Sequence, residues 1–160
     1  MKQATLIESE IFQGIGPESR TRIAGLASSR TTEAGELVFR HGDEADELGV
    51  VDHGQVELFL EVTILGVSRP IALERCGPGA VVAWSTLVPP HQLTLGGRAV
   101  EPVGIWVLPK AELTSFFERE PAVGYRVMCN VAAVVGRRFQ AMQKMWADEV
   151  QRQLNEKYRS

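Results

Sequence analysis

Residues 52–62 read DHGQVELFLEV, and their alternation is the clearest structural signal in the chain. Side chains at every second position fall on one face of a β-strand. One face carries Val56, Leu58, Leu60 and Val62, and the other carries Glu57, Phe59 and Glu61. Gly54 stands directly before this run, where glycine accepts the backbone angles of a tight turn. The stretch therefore predicts a strand over residues 55–62 that is entered through a hairpin.

Short apolar runs separated by glycine turns continue on both sides of this strand. We predict further strands at residues 37–39, 48–51, 71–73, 93–100 and 103–108. Before them, residues 6–29 read as a helical lead, because Pro17 suits a first helical turn and apolar residues then recur at helical steps. The pattern predicts a mainly β fold of about eight short strands with flanking helices.

The last third of the chain has a helical period. A short helix is predicted over Lys110–Glu118, and Pro121 begins a long one that runs to about Tyr158. Apolar residues step by three or four along it and form one stripe. The stripe consists of Met128, Val131, Val135, Phe139, Met142, Trp146, Val150 and Leu154.

Length and composition fit a single globular domain. The chain has 160 residues, of which 44% are hydrophobic and 23% charged, with a formal net charge of −3. We divide this one domain into a helical lead (1–30), a β region (31–109) and C-terminal helices (110–160). The negative charge argues against a general nucleic-acid surface. No run of eighteen apolar residues and no signal peptide is visible, so we expect no membrane span and a cytoplasmic location.

Several short motifs stand in a characteristic order. They are Ile11-Phe12-Gln13-Gly14-Ile15 with Pro17-Glu18, Gly35-Glu36, Gly42-Asp43, residues 52–58 and Gly77-Pro78-Gly79. With the long final helix, they resemble the sensor domain of the cyclic-nucleotide-binding, Crp/Fnr-like superfamily over nearly the whole chain. The resemblance implies a β-roll, similar to a double-stranded jelly roll, with N-terminal helices and a C-terminal dimerisation helix.

The resemblance breaks at residues 79–98, which we call the cassette, where the family binds the sugar-phosphate of its ligand. In the family, a Gly-Glu pair and a later arginine hold the ribose and the cyclic phosphate. Here the pair is Ala83-Trp84, and the arginine position falls at Leu93 or Thr94. Burying a phosphate without a cation costs several kcal/mol. We therefore expect no tight binding of cAMP or cGMP.

The sequence leaves open what the altered pocket holds. Trp84 fills the volume of the sugar and phosphate, which favours a collapsed, ligand-free pocket. Trp84 and Pro89-Pro90 also offer flat apolar surfaces, which would suit an apolar small molecule. Weak nucleotide binding through Arg98, the nearest arginine, is the third alternative. The candidate pocket residues are Val82, Ala83, Trp84, Ser85, Thr86, Leu87, Leu93, Thr94 and Arg98, with Ser85 as the expected N-cap of the cassette's short helix.

The apolar stripe predicts a homodimer. We expect the β-roll to cover the helix only as far as Phe139. Beyond that residue the apolar stripe would be exposed to solvent, which favours pairing with the same helix of a second chain. The predicted dimer residues are Val131, Val135, Phe139, Met142, Met145, Trp146, Val150 and Leu154. Arg137, Arg138, Lys144 and Arg152 interleave with acidic residues and are read as a solvated face. Because relatives that bind DNA carry a helix-turn-helix after this helix and the sequence stops at Ser160, we expect no direct DNA binding.

Other chemistry has little support in the sequence. No catalytic motif is present, so we predict a protein that is not an enzyme. Cys76 and His91 flank the cassette, where some relatives hold haem, but a lone cysteine is more often a small buried hydrophobe. We predict no cofactor and no metal site. The expected function is a regulatory or interaction module with an unidentified protein partner, and the alternative is a small-molecule sensor.

Overall fold

The structure is a computed structural model that describes residues 3–159. Its helices are α1 (Ala4–Ile7), α2 (Pro17–Ala24), α3 (Lys110–Arg119) and α4 (Pro121–Lys157), with short 3-10 helices at Glu10–Phe12 and Trp84–Thr86. Its strands are β1 (Ser28–Thr32), β2 (Leu37–Phe39), β3 (Glu47–His53), β4 (Val56–Ile64), β5 (Val67–Cys76), β6 (Val81–Val82), β7 (Gly96–Ala99) and β8 (Val103–Pro109).

Two four-stranded antiparallel sheets form a β-roll, as predicted. One sheet has the strand order β1-β8-β3-β6 and the other has the order β2-β7-β4-β5. The predicted strand at residues 55–62 is the core of β4, which pairs with β5 and β7. Gly54, before it, has φ of +76°, and a side chain there would meet the carbonyl oxygen of Pro102 at 2.5 Å. Glycine is therefore required at that turn.

Two apolar cores lie on opposite faces of the first sheet. Alternate residues of β3 explain this, because Leu48 and Val50 face the helices whereas Val51 faces the inside of the roll. The inner core also contains Ile105 from β8 of the same sheet and Leu58 from β4 of the facing sheet. A strand that is buried on both faces reads as an unbroken apolar run, which is why residues 48–51 were recognisable.

The first strand corrects the predicted helical lead. Helix α2 ends at Ala24, and residues 28–32, which the sequence assigned mostly to the lead, form β1. Their sequence, SSRTT, is polar and largely exposed, so it carries no apolar alternation. Pairing with β8 at the edge of the sheet holds the strand in place. Such a strand depends on its neighbour and leaves little signal in its own residues.

Helix α4 packs against the rest of the chain for only part of its length. It has 37 residues, about 55 Å at 1.5 Å per residue. Val127, Val131 and Val134 are buried in the core beside α1, α2 and α3. Val131 is only 1% exposed, so it belongs to this core and not to the exposed stripe predicted for dimerisation. Beyond Phe139 every residue before Val150 is exposed.

Candidate functional site

The short helix of the cassette is preceded by a left-handed residue. Ala83 has φ of +58° and ψ of +40°, a conformation in which a Cβ crowds the following carbonyl. It stands at the N-cap of the 3-10 helix Trp84–Thr86. Ser85, expected to be that N-cap, lies one residue inside the helix, and no side chain caps the helix. Alanine thus occupies a left-handed position that glycine would adopt at lower cost.

The rest of the cassette is tied to the loop before β3. The Thr86 hydroxyl donates to the carbonyl of Glu47 at 2.8 Å. The backbone N–H of Ala45 donates to the carbonyl oxygen of His91 at 2.8 Å. The backbone N–H of Leu93 donates to the carbonyl oxygen of Asp43 at 2.9 Å. His91 also places its Nδ1 3.1 Å from the carbonyl oxygen of Thr86. These bonds fix the cassette within its own subunit.

Arg138 of helix α4 occupies the space beside the cassette. Its Nε donates to Glu74 at 2.7 Å, and its Nη2 donates to the carbonyl of Val81 at 2.7 Å and lies 3.3 Å from the sulfur of Cys76. The residue is only 9% exposed. The prediction that placed it on a solvated helix face was therefore wrong. Its position was detectable, because Arg138 follows the buried Val131 and Val134 at helical spacing.

Little room remains among the predicted pocket residues of the cassette. The cavity bounded by Trp84, Ser85, Leu93, Thr94 and Arg138 measures about 20 Å³, with Phe39, Leu58, Ala83 and Leu95 as its other walls. That is space for about one water molecule, whereas sites for small ligands usually measure about 300–1,000 Å³. The structure thus brings together five of the predicted pocket residues around a nearly filled space, namely Ala83, Trp84, Ser85, Leu93 and Thr94.

Arg98 lies on the outer face of its sheet. Its neighbour Gly97 is covered on the inside of the roll by the Phe39 ring, so the side chain of Arg98 points the other way. There its Nη2 pairs with Glu57 at 2.9 Å, and its guanidinium stacks on the Phe59 ring at 5.4 Å. The structure therefore separates Arg98 from the other candidate pocket residues and gives its charge a partner elsewhere.

The backbone of Val81 connects the cassette to both ends of the chain. Its amide N–H donates to the carboxylate of Glu10 at 3.1 Å, and its carbonyl oxygen accepts from Arg138. Glu10 also pairs with Arg137 at 2.5 Å. The N-terminal segment, the entry to the cassette and helix α4 are thus joined in one network.

Cys76 lies inside the same network. Burial raises the pKa of its thiol to about 11, although the Arg138 guanidinium acts in the opposite direction. A protonated, buried thiol is a poor ligand for a metal or haem. Among the residues that the structure describes, no group of three or more His, Cys, Asp or Glu side chains is arranged to hold a metal ion.

A larger cavity opens between the two sheets, on the other side of a wall formed by Phe39, Ala83 and Leu93. It measures about 450 Å³ and has an apolar floor that includes Val82 and Ile105. Its rim carries Arg30, Asp43, Glu44, Asp46 and Glu47. Of the predicted pocket residues, only Val82, Ala83 and Leu93 line it. Trp84 and Leu87 instead pack against the core on the helical side.

The two four-stranded sheets and their flanking helices define a β-roll of the regulatory-domain class. The sequence pattern of the cyclic nucleotide-binding domain matches residues 29–120, more than half of the chain. The chain belongs to the cyclic nucleotide-binding domain family. None of the curated proteins that were compared with it matches.

Solved structures agree with this assignment. A protein from Geobacter metallireducens GS-15, described as a candidate cyclic nucleotide-binding protein, is 27% identical, with a TM-score of 0.71 over 87% of this chain and 98% of its own. The N-terminal domain of a Streptomyces coelicolor transcriptional regulator is 25% identical, with a TM-score of 0.69 over 83% and 93%. The Thermus thermophilus catabolite activator protein is 26% identical, with a TM-score of 0.72 over 89% and 63%.

Within the described residues, 3–159, no helix is both long and apolar enough to cross a membrane. Helix α4 has the length for a span, but charged residues such as Arg137, Lys144 and Asp148 interrupt it.

Proposed function

We propose that the chain is a homodimeric, non-catalytic regulatory module that holds no cyclic nucleotide tightly at its cassette. The observation that carries this proposal is the position of Arg138. Its guanidinium occupies the space beside the cassette, and Glu74 and the carbonyl of Val81 already satisfy it. A nucleotide would have to displace these bonds and would then find neither a carboxylate at position 84 nor a cation at position 93 or 94.

The same contact suggests how the module works without a ligand. A ligand shifts a conformational equilibrium only if it binds one state better than the other. Here a side chain of α4 itself bonds to β6, the short strand within the cassette. The position of α4 is then fixed by a contact within the same chain and not by a ligand. The dimer therefore presents the same surface to a protein partner at all times. Free thiols at Cys76 and Cys129 agree with a reducing compartment, for which we propose the cytoplasm.

The exposed part of α4 supports the homodimer. Phe139 and Trp146 are 59% and 71% exposed, and Met142, Met145 and Leu154 are each more than 40% exposed. A row of large apolar side chains on one helix is typical of an association surface. Sedimentation equilibrium tests this, and we expect twice the 17.6 kDa mass of one chain. A single species of 17.6 kDa at all accessible concentrations would contradict it.

Thermal unfolding tests the absence of a nucleotide. A ligand with a Kd of about 10 µM, added at about 1 mM, would stabilise the native state by about 2.7 kcal/mol, which corresponds to a rise in Tm of about 5–10 °C. We expect cAMP and cGMP to shift the Tm by less than about 1 °C, like the control 5′-AMP. A rise of several degrees with one cyclic nucleotide alone would overturn the proposal.

The cavity of about 450 Å³ favours a second candidate function, a sensor of a different small molecule. Its size suits a small ligand, and carboxylates predominate on its rim, which disfavours an anion. Native mass spectrometry of the purified protein separates the two candidates. A stoichiometric bound molecule would favour the sensor, and the mass of the bare dimer would favour the ligand-free module.

A further inference from the structure

The cavity between the two sheets exists because facing side chains do not meet there. Protein interiors are packed closely, and few of their spaces exceed the volume of one water molecule. Here Val38 of β2 and Ile105 and Val107 of β8 leave a space of about 450 Å³. Gly49 lies beside it, and a Cβ at this position would meet Val82 at 2.6 Å, so β3 contributes only backbone there. The walls thus offer apolar surface to a compact molecule.

The basic residues around this cavity are already paired. Arg30, which stands on the rim, places its Nη2 2.8 Å from one carboxylate oxygen of Glu47 and 3.1 Å from the other. Lys110, which reaches the rim through Asp46, pairs with that residue at 2.9 Å. An anionic ligand would therefore have to displace a carboxylate from its cation before it could bind.

Two acidic residues of the rim have no such cation. Asp43 and Glu44 both line the cavity, and within residues 3–159 neither forms an ion pair. Low-dielectric walls concentrate the field of charges at the mouth of a cleft. Both residues are exposed, so each attracts a cation only weakly in water. The apolar walls would then supply much of the affinity, and the two carboxylates would select the sign of the ligand's charge.

The cavity is separate from the altered cassette pocket. Phe39, Ala83 and Leu93 form the wall between them, and Trp84 and Arg138 line the cassette side alone. A molecule between the sheets therefore needs no contact with the positions at which the family holds sugar and phosphate. Its recognition depends instead on the inner faces of the strands and on the loop before β3.

We propose that the cavity between the sheets binds a small organic cation, a primary amine on a compact apolar body. The body lies between β2 and β8, and the ammonium group lies at the rim beside Asp43 and Glu44. This inference rests on the second candidate function, the small-molecule sensor, and assigns the chemical class of its ligand. It is independent of whether the cassette binds a nucleotide.

Matched probes that differ only in charge test the proposal. Tryptamine, tryptophol and indole-3-propionate share an indole, and hexylamine, hexanol and hexanoate repeat the comparison on a thinner skeleton. Each is titrated into the full chain, and backbone amide shifts are followed by NMR. We expect at least one amine to bind with a Kd of about 1 mM or tighter, at least about fivefold tighter than its alcohol, with the carboxylate weakest. The largest shifts should fall within residues 43–49 and 105–107.

Two variants with matched controls locate the contacts. The double variant Asp43→Asn, Glu44→Gln should weaken amine binding at least about fivefold and leave the alcohol within about twofold. Glu101→Gln, which removes a carboxylate in the turn between β7 and β8, should change the amine Kd by less than about twofold. Val38→Phe fills the cavity and should weaken both amine and alcohol, whereas Leu37→Phe, beside it but outside the lining, should weaken neither.

The outcomes separate the ligand class from the sensor. An alcohol or carboxylate that binds as tightly as its amine would overturn the cation and leave the sensor candidate standing. No saturable binding of either amine at up to about 5 mM would overturn the inference. Amine binding that survives Val38→Phe, or shifts centred outside the cavity lining, would overturn the location. The sensor itself fails if native mass spectrometry shows only the bare protein, and amine binding at the cavity would still confirm the ligand class.

Discussion

The Nη2 of Arg138 lies 2.7 Å from the carbonyl oxygen of Val81, so the long helix bonds directly to β6, the short strand within the cassette. Val81 is fully buried and Arg138 almost so. In a low-dielectric interior a charge-assisted hydrogen bond of this kind is strong, and its loss leaves a buried acceptor without a donor. We regard this bond as the reason why the cassette and α4 keep one arrangement.

Replacing Arg138 should destabilise the fold more than replacing its neighbour. We expect Arg138→Met to lower the free energy of unfolding by about 2–3 kcal/mol, because the carbonyl of Val81 loses its partner within the core. Arg137→Met is the matched control. Arg137 is 58% exposed in its pair with Glu10, and its loss should cost less than about 1 kcal/mol. Urea unfolding measures the free energy of unfolding of both variants. Equal losses would show that the buried bond of Arg138 stabilises the fold no more than the exposed ion pair of Arg137.

Ala83→Gly should stabilise the protein by about 0.5–1 kcal/mol. Ala83 has a left-handed backbone, and the relief of its Cβ strain outweighs the greater freedom of glycine in the unfolded chain. The control is Ala133→Gly, at an exposed position within α4, which should destabilise by about 0.5–1 kcal/mol. Thermal or urea unfolding decides the sign. A loss of stability in Ala83→Gly as large as that in the control would contradict the prediction.

The two cysteines should react at very different rates. Cys129 is exposed, whereas burial raises the pKa of the Cys76 thiol to about 11, so Cys76 stays protonated near pH 8. We expect a chromogenic disulfide reagent to modify one thiol per folded chain and two after unfolding. Cys129→Ser should abolish the fast reaction. Rapid modification of Cys76 in the folded protein would contradict its burial beside Arg138.

The raised pKa of Cys76 also has a consequence at high pH. The unfolded thiol ionises near its ordinary pKa of 9.0 and the folded one near 11. This contribution to stability is therefore intact below about pH 9 and is lost as the pH rises towards 11. In the Cys76→Ala variant, the free energy of unfolding should fall less steeply between about pH 9 and pH 11 than in the wild type. A pH profile parallel to that of the wild type would show that Cys76 does not contribute to it.

A charge at Trp146 should dissociate the proposed dimer. Trp146 is the most exposed apolar residue of the outer part of α4 before Tyr158, and we expect Trp146→Lys to weaken dimerisation at least about thirtyfold. Asp148→Lys adds a lysine two residues later, on the opposite side of the helix, and should change the dimer Kd by less than about threefold. Sedimentation velocity measures both variants. Equal effects would place Trp146 outside the interface.

The architecture was predictable because apolar period and glycine turns are local signals. The alternation at Val56–Val62 and the glycine at position 54 are both found in the structure as predicted. Strand β1 was not predictable in the same way, because its polar residues take their conformation from pairing with β8. Its position depends on a partner that lies more than seventy residues away in the chain.

The candidate site was only partly predictable. Trp84, Leu93 and Thr94 were placed beside the altered cassette by the family resemblance, and they do line its residual cavity. Arg138 was missed, since a basic residue among charged neighbours looks solvated unless its helical spacing from Val134 is followed. The outward direction of Arg98 depends on how β7 is oriented against β2 and β4, which no local pattern reveals.

Isothermal titration calorimetry with cAMP tests the central claim most directly. With cyclic nucleotide titrated into wild-type protein to about 1 mM, the filled space beside Arg138 predicts no saturable heat beyond that of dilution. Arg98→Ala should behave in the same way, because Arg98 faces outward towards Glu57. Stoichiometric binding with a Kd of about 10 µM or tighter would contradict the account, and loss of that binding in Arg98→Ala would assign the phosphate contact to Arg98 after all.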